Sequence, residues 1–469
     1  MLFSSPEFIF AFLPPSLLGY FAIARLLGGR ASLGWLVLCS LFFYGYWRLE
    51  YLPLLIGSIL GNYAIAAAIQ AQQGTRRGGF AILIAGIAAN LALLGYFKYA
   101  GFFAETANAA LGTGITVPQL VLPLAISFFT FQQITYLVDS YKREAVRGSL
   151  LHYAVFVTFF PQLIAGPIVH HKEMMPQFAR AAILRLRSKN LLAGLIIFGL
   201  GLFKKIGIAD SFAVWADAGY ADHTQLTVLD AWITTFSYTF QLYFDFSGYT
   251  DMAIGAARMF GIRLPLNFLS PYKAVSIQDF WRRWHITLSR FLRDYLYIPL
   301  GGSRRREGRV MANLMITFLL GGLWHGAGWT FILWGGIHGA ALVIHRIWAR
   351  AGLRLPRVIG WLLTFAVVHL SWVFFRATDL AQALDILSIM FGLDPAAMAG
   401  PRHVVIEGAR TAGRYLLLAL IGVLILPNTY QFTRDVRPLY KTLVGAVLFG
   451  AGCILMLVSR SDVFLYFNF

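Results

Sequence analysis

Leu319-Leu320-Gly321-Gly322-Leu323-Trp324-His325-Gly326-Ala327 is a run of apolar and small residues with one titratable side chain in it. The run is apolar enough to lie inside a bilayer, which makes the fold of this chain a membrane question. An ionisable group at membrane depth costs roughly 2.5–3.5 kcal/mol on insertion scales, so one that is present faces a cavity, a partner or a reaction. Histidine also has an unperturbed pKa of about 6.5, which lets it take and return a proton near neutral pH. His325 therefore has two readings: a buried proton-transfer site, or a hydrogen bond that ties neighbouring helices together.

The surrounding chain settles the class. It has 469 residues, of which 58% are hydrophobic and 13% charged, and its mean hydropathy is +0.66. Apolar stretches at 8–26, 31–47, 51–69, 79–98, 121–138, 190–208, 227–250, 311–327, 329–348, 357–375, 412–427 and 442–459 have the length of membrane helices. A membrane barrel would show shorter segments of alternating polarity. The expectation is an all-α, polytopic integral membrane protein with about 11–13 transmembrane helices, forming one integral domain over 1–469. The first residues lack the basic region and cleavage site of a signal peptide, so the first apolar run should remain as a helix. Cys39 and Cys453 sit in apolar stretches, which supports neither a disulfide framework nor a cysteine metal site.

Net charge is +18, gathered at Arg76 and Arg77, Lys142 to Arg147, Lys172 to Lys189, Arg282 to Arg309, Arg346 to Arg357 and Arg434 to Lys441. Placing these groups in the cytoplasm puts the connectors 70–78, 139–150, 257–310 and 428–441 inside and both termini outside a cell (inner or plasma) membrane. The alternation works if 151–169 enters without crossing, and Pro161, Gly166 and Pro167 supply the breaks of either a re-entrant turn or a proline-kinked span. The basic residues flank membrane segments. They read as orientation and anionic-lipid contacts, with no nucleic-acid partner.

The connector 257–310 holds the second histidine. Wound as one interfacial helix over 280–296, it places Arg282, Arg283, Arg290 and Arg293 in one stripe. Phe280, Trp281, Trp284, Leu288, Phe291 and His285 fall on the apolar side. The stripe either anchors the helix to headgroups or meets a phosphate-bearing ligand. Upstream, Gln241 to Met252 carries Asp245 and Tyr249 on one helical face and Ser247 and Asp251 on another, read as groups that fix neighbouring arginines or histidines. His285, His325 and His338 have no compact ligand spacing, so no metal is expected. No Gly-x-Ser-x-Gly elbow is present.

Gln241-Leu242-Tyr243-Phe244-Asp245-Phe246-Ser247-Gly248-Tyr249, Phe280-Trp281-Arg282-Arg283-Trp284-His285, Arg293-Asp294-Tyr295-Leu296-Tyr297-Ile298-Pro299-Leu300-Gly301-Gly302 and Gly321-Gly322-Leu323-Trp324-His325-Gly326 together resemble the membrane-bound O-acyltransferases, in particular their alginate O-acetylation branch. Leu94 to Ala100, Phe160 to Pro167 and Trp372 to Ala377 extend the resemblance over nearly the whole chain. It implies re-entrant and interfacial helices around a funnel or tunnel, with His325 as catalytic histidine and His285 as its companion. Trp324, Trp281, the four arginines, Asp245, Asp251, Tyr249 and His338 are the further tunnel or donor-side candidates, and His338 reads as packing or lining. The implied reaction moves acetyl, or another short acyl group, from a cytoplasmic thioester to an exopolysaccharide such as alginate. Cellulose, peptidoglycan and other envelope glycans are the alternative acceptors. The donor would be acetyl-CoA or an acyl-carrier thioester, no cofactor would be tightly bound, and partner proteins outside the membrane would receive the acetyl group. The competing classes are a transporter or flippase and a non-catalytic scaffold of an export complex.

Overall fold

The computed structural model describes all residues except 73–75, 119, 146–147, 395–404, 435–438, 459–464 and 466–469, so parts of three of the connectors used above for orientation lie outside it. Among the described residues every regular element is helical and no strand occurs. Local chemistry sets many of the helix ends. Pro14 and Pro53 stand in the first turns of helices Leu13–Leu26 and Leu52–Ala71, where their missing N–H is not needed. Gly112 closes helix Ala100–Leu111 with φ +65°, a conformation that glycine adopts without strain.

Among the described residues, seven helical stretches are long and apolar enough to cross a membrane: Glu7–Leu26, Leu49–Ala71, Arg77–Leu111, Ser188–Ala221, Trp329–Arg350, Arg357–Arg376 and Leu439–Val458. Helices also occupy the other expected spans. Gly29–Gly45, Ile126–Tyr141 and Ala409–Ile425 are shorter, while Val228–Met259 and Glu307–His325 are long. The expectation of 11–13 spans thus matches the helix positions, whereas seven meet the criterion of length and apolarity. Leu18, Leu60, Leu418 and Val447 are exposed. Apolar side chains on the outside as well as the inside of the helices are what a hydrocarbon solvent requires.

Two compact units can be distinguished within the span read as one integral domain. The first comprises 1–199, 249–265 and 442–446; the second comprises 200–248, 266–441 and 447–469. In the first unit the proline-bearing segment forms two short helices, Leu150–Thr158 and Phe160–Leu163, broken at Phe159. Nine residues of helix reach only about 14 Å, less than half of a hydrocarbon core. A Cβ on Gly166 would lie 2.5 Å from the Gln162 backbone, so glycine is needed at this turn.

The second unit contains a buried ion triad. Lys205 Nζ lies 2.6 Å from Asp210 Oδ1 and 2.8 Å from Asp245 Oδ1. Charges withdrawn from water persist only when paired in this way. Asp245 therefore has a lysine as its partner, where the sequence pointed to arginine or histidine.

Candidate active site

His325 is the last residue of helix Glu307–His325, and after three intervening residues the chain enters helix Trp329–Arg350. The hairpin is tight because it has almost no side chains at its crossing. A Cβ on Gly322 would strike the Phe331 carbonyl, and one on Gly335 the Phe318 carbonyl. This close approach delivers His325 into an aromatic box. Its ring lies 4.9 Å from Trp324, 5.0 Å from Trp334 and 5.2 Å from Phe375, and the residue is 2% exposed.

His285 reaches the same box by a different route. The segment expected as one helix over 280–296 is broken: helix Ile277–Trp281 ends, a turn follows, and helix Ile286–Leu292 starts afresh before a π-helical turn at Arg293–Tyr297. The break is at His285 itself, which has φ +41° and ψ +53°. A left-handed conformation costs a side-chain-bearing residue roughly 1–2 kcal/mol, so tertiary bonds must hold it. Asn267 provides them. Its backbone carbonyl accepts the Ile286 N–H at 3.0 Å, and its Oδ1 accepts the Thr287 N–H at 3.3 Å and the Thr287 hydroxyl at 2.9 Å. His285 Nδ1 lies 3.1 Å from the same Oδ1. The imidazole is fully buried, 6.3 Å from the His325 ring and edge-on to Phe246 at 4.9 Å. Burial pushes its pKa down to about 3, so it is neutral at neutral pH.

The arginine stripe is divided as well. Arg282, Arg290 and Arg293 line a cavity of about 450 Å³ whose wall includes Trp281, Leu292, Thr317 and Phe318. Arg283 does not line it. Its guanidinium is held by Asp279 at 2.8 Å and by the Leu269 carbonyl at 3.4 Å. The cavity lies close to the histidines through aromatic rings: Trp281 is 5.8 Å from Trp334, which in turn is 5.0 Å from His325.

His338 lies in the same hairpin, hydrogen-bonded through its ring. Trp281 donates its indole N–H to His338 Nδ1 at 3.3 Å, His338 Nε2 lies 2.9 Å from Ser371 Oγ, and the Ser371 hydroxyl donates to the Val368 carbonyl at 2.7 Å. Both ring nitrogens are thereby used. Three other candidates have surroundings of their own. Asp245 belongs to the lysine triad, Tyr249 stacks on Phe3 at 4.7 Å in the first unit, and Asp251 is half-buried in that unit.

The sequence reading missed a polar cluster in the first unit. Asp139, His170 and His171 bring their ligand-type atoms within 4.8 Å of one another. Adjacent histidines were the available signal, but nothing in the sequence paired them with Asp139. Hydrogen bonding defines this cluster. His170 Nδ1 accepts the Lys172 N–H at 3.3 Å, so its Nε2 carries the proton and donates to Asp139 Oδ2 at 2.9 Å, where a metal would need a lone pair. His171 Nε2 lies 2.9 Å from the same oxygen. Desolvation outweighs the carboxylate and lowers the His171 pKa.

Two buried imidazoles in a water-poor aromatic box beside a cationic cavity are equipped for acid–base chemistry on an uncharged reacting centre, with an anionic ligand held alongside. The chain belongs to the membrane-bound O-acyltransferase family, whose sequence model matches residues 87–378, a span that includes both histidines. It is accordingly a multi-pass membrane O-acyltransferase. It is 45% identical to a peptidoglycan O-acetyltransferase of Helicobacter pylori, over all of this chain and 98% of that protein. It is 40% identical to a probable alginate O-acetylase AlgI of Pseudomonas aeruginosa, over 90% of this chain and 82% of that protein. A teichoic acid D-alanyltransferase of Streptococcus thermophilus is 28% identical over 54% of this chain.

Proposed function

We propose that this chain moves acetyl from a cytoplasmic thioester donor to hydroxyls of a cell-envelope or extracellular glycan, with His325 and His285 as the groups that move the proton. A hydroxyl is a weak nucleophile at neutral pH, so a base within reach is worth about 10²- to 10⁴-fold. The histidine takes the hydroxyl proton as oxygen attacks the thioester carbonyl carbon. When the C–S bond breaks, the proton passes to the departing thiolate, leaving ester and thiol. The aromatic box keeps water away from the donor. The observation that carries this reading is the pair of buried imidazole rings 6.3 Å apart, on residues 40 positions apart in the sequence.

The three arginines of the 450 Å³ cavity suit the phosphates of coenzyme A or of a phosphopantetheinyl carrier. Relatives named for peptidoglycan and for alginate support the two acceptors equally, and their shared chemistry is a sugar hydroxyl. Partner proteins outside the membrane, an inner-membrane location and termini outside belong to the same proposal. Family membership favours acyl transfer over a transporter or a scaffold.

The test is purified full-length protein in lipid, given radiolabelled acetyl-CoA with either mannuronate oligomers or peptidoglycan fragments. We expect label in one acceptor with wild type and none with His325→Ala, which should express and insert normally. Turnover of the variant above about a tenth of wild type would remove His325 from the chemistry, given the size of a general-base contribution.

A further inference from the structure

The hydrogen bonds around Asn267 determine which nitrogen of His285 carries the proton. An asparagine amide is ambiguous until a neighbour of fixed polarity decides its orientation. Here the neighbour is the Thr287 backbone N–H, which can only donate, so the amide atom 3.3 Å from it is the oxygen. An oxygen that already accepts from Thr287 cannot donate to imidazole. His285 Nδ1, 3.1 Å away on the same oxygen, must therefore be the N–H. A neutral imidazole has one N–H, which leaves the lone pair on Nε2.

A second feature sets Asn267 apart from a purely structural residue. It is 1% exposed, and its Nδ2 has no hydrogen-bond partner among the described residues. Leaving an amide N–H unsatisfied in the interior costs about 1–3 kcal/mol. The side chain is retained despite that cost where its oxygen orients a functional group.

We infer that Asn267 is a positioning residue that locks His285 in the Nδ1–H tautomer and presents Nε2 as the basic nitrogen for proton transfer. This rests on the reading that His285 takes part in acyl transfer, and it gives the two histidines different tasks to test. The rings facing His285 come from two helices: Phe246 from one, Trp324 and His325 from the other. His325 is the titratable one among them. On its own segment Arg283 is held by Asp279, and Arg282 lines the cavity. A carboxylate at 267 would thus be the nearest new charge. It would favour the imidazolium by about 1–3 pH units.

The experiment compares wild type, Asn267→Asp, Asn267→Leu and His285→Ala, each full length in lipid nanodiscs. One readout is ¹⁵N-histidine NMR, in which the His285 signal is the one that His285→Ala removes. The other is acetyl transfer from acetyl-CoA as a function of pH. We expect His285 protonated on Nδ1 in wild type and in Asn267→Asp, with the acid limb of the kcat profile of Asn267→Asp moved up by about one pH unit or more. Asn267→Leu should shift the proton to Nε2 and lower kcat by about tenfold or more, leaving the donor KM within about twofold. An Nε2-protonated His285 in wild type, or an acid limb unmoved in Asn267→Asp, would overturn the inference. So would a kcat within about twofold of wild type in a folded Asn267→Leu. If Asn267→Leu does not fold, the wild-type tautomer and the Asn267→Asp profile still decide. If His285→Ala transfers acetyl at the wild-type rate, the catalytic reading of His285 fails, and the NMR result separates that failure from a wrong tautomer.

Discussion

His325 and His338 are both buried histidines in the same hairpin, and the structure gives them opposite characters. His338 spends both nitrogens on Trp281 and Ser371, leaving nothing with which to move a proton. His325 stands among aromatic faces 6.3 Å from a second imidazole. Their alanine variants should therefore fail in opposite ways. His338→Ala strands the Trp281 N–H in the interior and should destabilise by on the order of 2 kcal/mol, read as a lower midpoint in a thermal melt of the solubilised protein. The molecules that stay folded should retain most of their transfer rate. His325→Ala should do the reverse. A His338→Ala protein that melts like wild type yet has lost its turnover would put His338 among the reacting groups.

Among the elements, the broken helix matters most. The four arginines do not share one surface: Arg283 is held by Asp279, four residues earlier, while Arg282, Arg290 and Arg293 line one cavity. Replacing Arg282 and Arg290 together by glutamine should raise the apparent KM for acetyl-CoA several-fold and flatten its salt dependence, with a smaller effect on kcat. Arg283→Gln should instead loosen the turn and lower thermal stability. Donor KM values unchanged in the double variant, with weakened stability in anionic lipid, would mark the arginines as headgroup anchors. An equal rise in KM from Arg283→Gln would restore the four-residue stripe.

For the molecule as a whole, the proposed direction of transfer depends on which side of the membrane the cavity opens to. The proposal puts that opening on the cytoplasmic side, from the positive-inside rule applied to the basic residues around it. Gly308, exposed at the start of helix Glu307–His325, is a direct reporter. A cysteine there should resist an impermeant maleimide in intact cells and react once the membrane is opened. Labelling from outside would reverse the orientation and move the donor to the opposite face.

Much of this protein is legible in its sequence because a membrane reads composition directly. Apolar runs must become helices where no water can satisfy a backbone N–H, and helices lie over every run expected to span. His325 and His285 also stood out, since an ionisable residue in an apolar or amphipathic setting demands a reason. Periodicity, however, assumes that a local pattern continues. At 280–296 it predicted one helix because nothing local forbids one, whereas a break requires a bond from Asn267, 18 residues earlier, strong enough to hold His285 at positive φ. Asp245 was visible as an acid, but its partner Lys205 is forty residues away in the chain. The solvent acts on each segment separately, so the sequence determined the helices and the candidate histidines. Which side chains meet and which nitrogen keeps its lone pair depend on bonds between distant segments, and those only the tertiary structure decided.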